Sequence, residues 1–347
     1  MLEDLSGVLK DTDILSNIKD AYTKEDGSIY TMPVKFGIPM IEGNKDIIAG
    51  ITDLTTEADA AESQKDSYGK LQFFSDFSIA PSYLIQGTID NSIPAWMNED
   101  GTLNENAVKE YLEQVNRIWQ TQKNAIEETK KAYQMGDDWA DSDHSGYMDI
   151  SGSVTSLLAK VDTVAAGGLL SPEGLVSLDS ARKVDPDLDY KLLNGQSENC
   201  FYPRSAVGVS AKASEKEAAE KFVKFLFEEE SQRASNTEGL AVNSKVYEDM
   251  AYWKMGKSSG DTIGSIGTSY DTGDGNIKQF VMDEIIPEDE AIQNIMDLGK
   301  TLTVPAKSNQ IIRSAVTESG EKYLNGETGL DDAVKEIMQE VNLYLSE

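Results

Sequence analysis

The clearest pattern along the chain is a helical one. Val108, Tyr111, Leu112, Val115, Ile118 and Trp119 recur three, four and seven residues apart, which lays one apolar stripe along a helix of 3.6 residues per turn. Thr102-x-x-Glu105 stands ahead of them as a capping box, and the pattern predicts a helix running on towards Ala132. A second stripe, Ala218, Phe222, Phe225 and Leu226, follows another capping box, Ser214-x-x-Glu217. Lys216, Glu220, Lys221 and Glu228 alternate with it, so the helix is expected to bury the first set and expose the second. Leu330, Ala333, Val334, Ile337, Met338, Val341 and Leu345 predict a final amphipathic helix. Leu2, Leu5, Val8 and Leu9 have helical spacing near the start, and an acidic helix is expected over 52–65 with its N-cap at Thr55 or Thr56.

Between these helices lie stretches with strand character. Asp26-Gly27 is a turn signal. Ile29, Tyr30 and Thr31 suit a pleated, partly buried surface, Pro33 reads as a stop, and Val34 to Gly43 forms a second apolar run through Phe36, Ile38, Met40 and Ile41. The polar turn Asn44-Lys45-Asp46 closes it. Leu71-Gln72-Phe73-Phe74 and the stretch from Phe201 to Ser210 are further expected strands. Residues 160–200 and 255–276 are rich in Gly, Pro, Ser, Thr and Asp and read as loops. The result is a mixed α/β chain.

Its 347 residues suffice for two domains with cores of their own. The 61 acidic side chains against 31 basic ones leave a formal charge of −30. That balance argues against binding a phosphate backbone, which needs clustered Lys and Arg, and against docking on an anionic membrane. One cysteine, Cys200, and one histidine, His144, exclude an internal disulfide and leave little for a Cys/His metal cluster or catalytic pair. No apolar run has the length of a membrane span. There is no GxSxG, phosphate loop or HExxH, and no pair of carboxylates stands out as a glycan-cleaving couple.

One stretch carries the spacing of a calcium loop. In Asp141-x-Asp143-x-Ser145-Gly146-x-x-Asp149, oxygen ligands fall at positions 1, 3, 5 and 9 and Gly at 6, although Gly152 takes the place of the bidentate Glu. A solvated acidic loop is the competing reading. Asp141, Asp143, Ser145 and Asp149 are the candidate Ca²⁺ ligands, and no other cofactor is called for.

Several motifs occur in an order that points to one family. Gly27-x-x-Tyr30-x-x-Pro33, ten residues and Asn44-Lys45-Asp46 resemble the entry into the first hinge of extracellular solute-binding proteins of ABC importers, the maltose-binding branch in particular. Gly208-x-Ser210 through Ala219, Phe222, Phe225, Leu226 and Gln232 resembles a signature of the same superfamily. Gly239-Leu240-Ala241-Val242-Asn243 resembles its Gly-x-Pro-Val-Asn, and Tyr323-Leu324-x-Gly326 followed by a terminal helix resembles its ending. The resemblance implies a two-lobed, hinge-connected α/β fold of the type II periplasmic-binding-protein kind. The family's preceding βα units have no counterpart before Met1, so a truncated N-lobe and a helix-rich C-lobe are expected. It further implies that 1–36 is the N-lobe remnant with the first hinge. Residues 37–95 and 300–325 would be N-lobe and hinge returns, 96–299 mainly C-lobe, and 326–347 the terminal helix.

By the same resemblance Lys35, Phe36 and Gly37 lie beside a ligand cleft, and Tyr83 or Phe77 supplies an aromatic contact. Gly146 to Ser153 resembles the strand and turn whose Gly end faces the cleft, with Ser153 where the maltose branch carries tryptophan. Asn309 and Gln310 match a cleft position. Trp96, Trp139, Trp253, Tyr202 and Phe36 are available as stacking faces, and Arg204 is the second cation that an anionic ligand could use. The implied function is capture of a solute, a carbohydrate first, for a membrane permease. The implied protein is a monomer outside the cell, lipid-anchored or periplasmic, without enzymatic activity.

Overall fold

The computed structural model describes residues 1–64, 80–132, 150–152, 154–159, 163–234, 239–271, 277–307 and 309–345. In chain order α1 (Ser16–Tyr22) precedes β1 (Met32–Asn44), α2 (Lys45–Ile48) and α3 (Leu54–Gln64). Then come α4 (Pro81–Ile89), α5 (Ile93–Trp96), α6 (Glu105–Ala132), α7 (Val154–Leu158), β2 (Val164–Leu169) and α8 (Pro172–Val184). β3 (Leu188–Leu192) and β4 (Cys200–Val207) lead to α9 (Lys216–Leu226), α10 (Glu229–Arg233), β5 (Leu240–Ala241), α11 (Ser244–Tyr247) and α12 (Met250–Trp253). A hairpin of β6 (Thr262–Asp271) and β7 (Ile277–Ile285) separates these from α13 (Asp289–Thr301), β8 (Val304–Pro305), α14 (Gln310–Leu324) and α15 (Leu330–Leu345).

β1 is the strand on which everything else hangs. Its thirteen residues are buried almost without a break, as expected of a strand covered on both faces. Its first half pairs antiparallel with β4, from Met32 opposite Val207 to Gly37 opposite Tyr202, and touches β5 at Lys35 and Phe36. Its second half pairs with β2, from Ile38 opposite Leu169 to Gly43 opposite Val164, and with β3 from Met40 to Asn44. The partners change between Gly37 and Ile38, so one strand serves two layers. β8 joins β4 in parallel at Cys200 and Phe201. The expected stop at Pro33 is not a stop. Pro33 is the second residue of the strand, where a missing N–H is tolerated, and the two expected strands are replaced by this one.

Two apolar cores flank the spine. Phe36, Ile38 and Met40 belong to one, with Phe201, Val242, Tyr247, Trp253 and Ile295, and it continues to Leu175 and Leu178 of α8. Ile41 belongs to the other, with Ile85, Trp96, Tyr111, Val115, Ile312 and Ile337 from α4, α5, α6, α14 and α15. The predicted stripe of α6 is buried in full, from Val108 to Trp119. Its N-cap is Asn104, whose Oδ1 accepts from the Ala107 amide at 3.2 Å. At α3, Asp53 rather than a threonine caps, its Oδ1 accepting from the Thr56 amide at 2.8 Å.

Two expectations fail here. Residues 1–15 form turns rather than a helix, although Leu5 and Leu9 are buried. In α9 it is Val223 that is buried, while Phe222 is 59% exposed and Phe225 48%.

Candidate functional site at the change of partners

Three passages of the chain cross at the point where β1 changes partners, and their side chains leave almost no free volume. A side chain at Gly37 would run into Leu170 and come within 3.5 Å of Tyr202 Cβ. One at Gly168 would lie 2.9 Å from Leu170 and 3.3 Å from the Tyr202 ring. Both positions hold glycine because the backbones approach closely there. Tyr202 is itself buried, and its hydroxyl accepts from Asn91 Nδ2 at 3.2 Å. The return passage through β8 is fixed by the Ala306 amide donating to Phe201 O at 2.8 Å and the Lys307 amide donating to Asp90 O at 3.2 Å. Next to it Arg313 of α14 donates to Asp90 Oδ2 at 2.5 Å, with both side chains buried. Cys200 sits in the same small cluster with Tyr202 and Ala306, and burial pushes its thiol up to about 12. The residue is an inert apolar filler, as the sequence suggests.

A cavity of about 420 Å³ opens beside the first half of β1. Val34, Lys35, Ser205, Ala206, Val207, Leu226 and Ser231 line it. The Lys35 side chain is buried, with Nζ donating to Gln232 O, and desolvation lowers its ammonium to about 8. Gln232 explains part of the sequence signature that contains it. Its amide nitrogen donates to Val34 O at 2.9 Å and Leu226 O at 2.8 Å, and its oxygen accepts from the Val242 amide at 2.9 Å. One buried side chain therefore ties β1, α9 and β5 together. Asn243 caps α11 through Val246 and donates to Phe227 O at 2.8 Å, which gives the Gly239-to-Asn243 motif a structural role as well.

Of the expected site residues, Lys35 lines the cavity and stands near the crossing. Phe36 is fully buried, its ring against Phe201 and Tyr247. Together with Tyr202 it offers no ring face to solvent in this conformation. Tyr83 is half-buried on the helical core, far along the chain from the spine. Asn309 is the N-cap of α14, accepting from the amides of Ile311 and Ile312, and Gln310 is exposed on the first turn. Trp96 and Trp253 are buried and hydrogen-bonded, to Gln196 Oε1 and Tyr247 O. Ser153, Phe77, Trp139 and the calcium-type residues Asp141, Asp143, Ser145 and Asp149 lie outside the described residues. Among the described residues no three His, Cys, Asp or Glu side chains are placed to hold a metal ion, and no helix is long and apolar enough to cross a membrane.

On its second half β1 is flanked by β2, residues 164–169. Gly167-Gly168 is visible in the sequence, but only as a loop signal. Asp90, Asn91, Leu170 and Arg313 are not foreseen. The ion pair joins positions 223 apart, and no local pattern connects them.

No curated protein matches the chain by sequence. Among solved structures, it resembles the cyclic alpha-maltosyl-1,6-maltose binding protein of Arthrobacter globiformis, with TM-score 0.51 and 15% identity over 99% of this chain and 80% of that one. It resembles an ABC transporter solute-binding protein of Agrobacterium vitis with bound D-mannitol, with TM-score 0.52 and 12% identity over 99% and 80%. It also resembles an extracellular solute-binding protein of family 1 from Alicyclobacillus acidocaldarius, with TM-score 0.52 and 14% identity over 100% and 80%. At such identities the likeness is one of fold, the two-lobed α/β architecture that the change of partners along β1 already describes. The model of the bacterial extracellular solute-binding proteins matches residues 1–258, and the chain belongs to that family.

Proposed function

We propose that this protein is the substrate-binding component of an ABC importer and that it captures a carbohydrate between its two lobes. The observation that carries the reading is the spine strand. A strand that changes partners at Gly37, with two return passages beside it, is the geometry a hinge needs, because a few backbone torsions there can move one layer against the other. Family membership makes solute binding the task. Sugar and polyol ligands in the relatives favour a carbohydrate. Lys35, Asn309 and Gln310 are the polar groups we assign to the ligand, with Tyr83 as an aromatic face and Phe36 and Tyr202 exposed to it only on opening. Ser153 belongs to the same proposal.

The protein acts as a monomer outside the cell, held at the surface or in a periplasm. It hands its solute to permease subunits and does no chemistry on it. Calcium at Asp141, Asp143, Ser145 and Asp149 is a separate proposal supported by ligand spacing alone.

Thermal unfolding against maltose, D-galactose, D-mannitol, amino acids and Ca²⁺ tests all of this. A ligand that binds only the folded state adds about 2.7 kcal/mol at a hundredfold excess over its dissociation constant. An upward shift with one sugar class is the expected result. A shift with amino acids and none with sugars would overturn the carbohydrate assignment, and a shift with Ca²⁺ would support the acidic stretch.

A further inference from the structure

Lys35 is a cation with too few partners. It is only 5% exposed. Its ammonium has several N–H donors to place, yet among the described residues it bonds to Gln232 O alone. No carboxylate among them pairs with it. Burial by itself lowers the ammonium to about 8, where a neighbouring carboxylate would favour the charged form and raise it again. A buried ammonium without an ion partner costs stability, and an apolar side chain of similar length would fill the place without that cost. The surroundings are equally one-sided. Ser205 and Ser231 line the cavity with Lys35, and no residue lining it is acidic, in a chain with 61 acidic side chains. Neither serine hydroxyl bonds to a protein group among the described residues. Arg204 stands opposite Lys35 in the ladder of β1 and β4. A Cβ at Gly239 would lie 2.8 Å from Lys35 Cβ and 3.2 Å from Arg204 Cγ, so both basic side chains leave the sheet on the same face.

We infer that this cavity is an anion subsite and that the solute is an acidic carbohydrate, whose carboxylate pairs with the Lys35 ammonium. This rests on the binding-protein reading, which already counts Lys35 among the ligand groups, and it names the chemistry of the solute. A carboxylate accepts at both oxygens, so it can take the N–H groups that Gln232 leaves unused and the hydroxyls of Ser205 and Ser231 as well. Pairing relieves the buried charge, which a neutral sugar hydroxyl does less well. The volume of about 420 Å³ falls within the range of small-molecule sites. The net charge of −30 opposes an anion only at long range, because salt screens exposed charges beyond about 8 Å. At the cavity itself the near charges are basic.

Calorimetric titration of the whole protein with D-galacturonate, D-galactose and succinate tests this. The two sugars differ only in a carboxylate that replaces a hydroxymethyl group. D-galacturonate is expected to bind at least about tenfold more tightly than D-galactose, and Lys35→Met is expected to remove the difference. The comparison of ligands on the wild-type chain needs no variant, so it stands even where Lys35→Met fails to fold. Equal or tighter binding of D-galactose would overturn the anion subsite and leave the carbohydrate reading in place. A preference for D-galacturonate that survives in folded Lys35→Met would assign the carboxylate to another group and overturn the proposal as well. Succinate binding that depends on Lys35, with neither sugar bound, would support the anion subsite and sink the carbohydrate reading instead. Binding of none of the three would overturn the subsite.

Discussion

Two amphipathic helices of similar sequence character end in opposite surroundings. In α6 every residue of the stripe from Val108 to Trp119 is buried against α3, α4, α14 and α15. In α9 the equivalent stripe leaves Phe222 and Phe225 largely in water, and only Val223 is covered. The periodicity of a helix states which face is apolar, but not whether anything lies on that face. Burial requires a partner element, and α6 has several. Among the described residues α9 has the edge of β1 and β4, which meets Leu226 at the cavity and leaves the two phenylalanines outside.

The sharpest way to break this contrast is to truncate one aromatic on each helix. Tyr111 packs edge-on against Trp96 at 5.0 Å, and its hydroxyl meets Thr88 Oγ1 at 2.8 Å and Ile85 O at 3.0 Å. Tyr111→Ala leaves a cavity and orphans those partners, and should cost about 4–5 kcal/mol. Urea unfolding followed by circular dichroism gives the number. A cost under about 1 kcal/mol would mean that the α6 core relaxes far more than a close-packed interior does.

The next effect concerns what holds the helical layer to the return passage. Asp90→Ala leaves the Arg313 guanidinium buried with its ion partner removed, which should cost about 3–4 kcal/mol. Arg313→Met in the same background should recover most of that, because the charge is then gone as well. Failure of the double variant to recover would show that the pair positions β8 rather than simply balancing charge.

A pH-dependent effect, spread over several pH units, comes next. Glu57 on α3 is fully buried, its Oε1 has no hydrogen-bond partner among the described residues, and desolvation, then Asp53, raises its carboxyl to about 8. The unfolded chain releases this proton near the ordinary value of 4.5 and the folded chain only near 8. Between those values the folded state holds the extra proton, so stability is highest in acid and falls as pH rises, levelling off above about 8. The slope is about 1.4 kcal/mol per pH unit. Denaturant midpoints from pH 5 to 8 should show the fall, and Glu57→Gln should flatten it. An unchanged slope in that variant would assign the dependence to another group, with Glu42 next in line: it is buried in β1, and desolvation raises its carboxyl well above normal.

These cases also show what was legible in the sequence. The spine was visible because Val34 to Ile41 is apolar apart from Lys35, and the change of layer was anticipated through the hinge resemblance. The continuity of the strand through Pro33 was hidden, because proline gives up a ladder hydrogen bond and reads in sequence as a breaker, although both Pro33 and Pro39 lie within β1. The role of Gln232 was hidden for a different reason. Its amide bonds reach Val34 of β1, Leu226 of α9 and Val242 just after β5, the first of them 198 positions away. The resemblance sets Phe36 beside the cleft and residue type offers Tyr202 as a stacking face, and in this conformation both rings are buried. Local physics specifies elements and caps. Which aromatic ends in the core is decided by non-local approach, as at Gly37 and Gly168, where the absence of a side chain makes room for Tyr202.

The smallest expected effect is on α9, and it sharpens the contrast most directly. Phe222→Ser and Phe225→Ser remove exposed rings, so the folded state loses little contact and the unfolded state loses the same hydration penalty. Each change should move stability by no more than about 0.5 kcal/mol, roughly a tenth of the Tyr111→Ala cost. Solubility is a different matter. An exposed pair of phenylalanines one turn apart is a ready contact for another apolar surface, so the double variant should stay monodisperse at concentrations where the parent chain associates. Light scattering across a dilution series reads this. If the double variant instead loses more than about 2 kcal/mol in urea, Phe222 and Phe225 are covered in solution, and α9 belongs with α6 rather than opposite it.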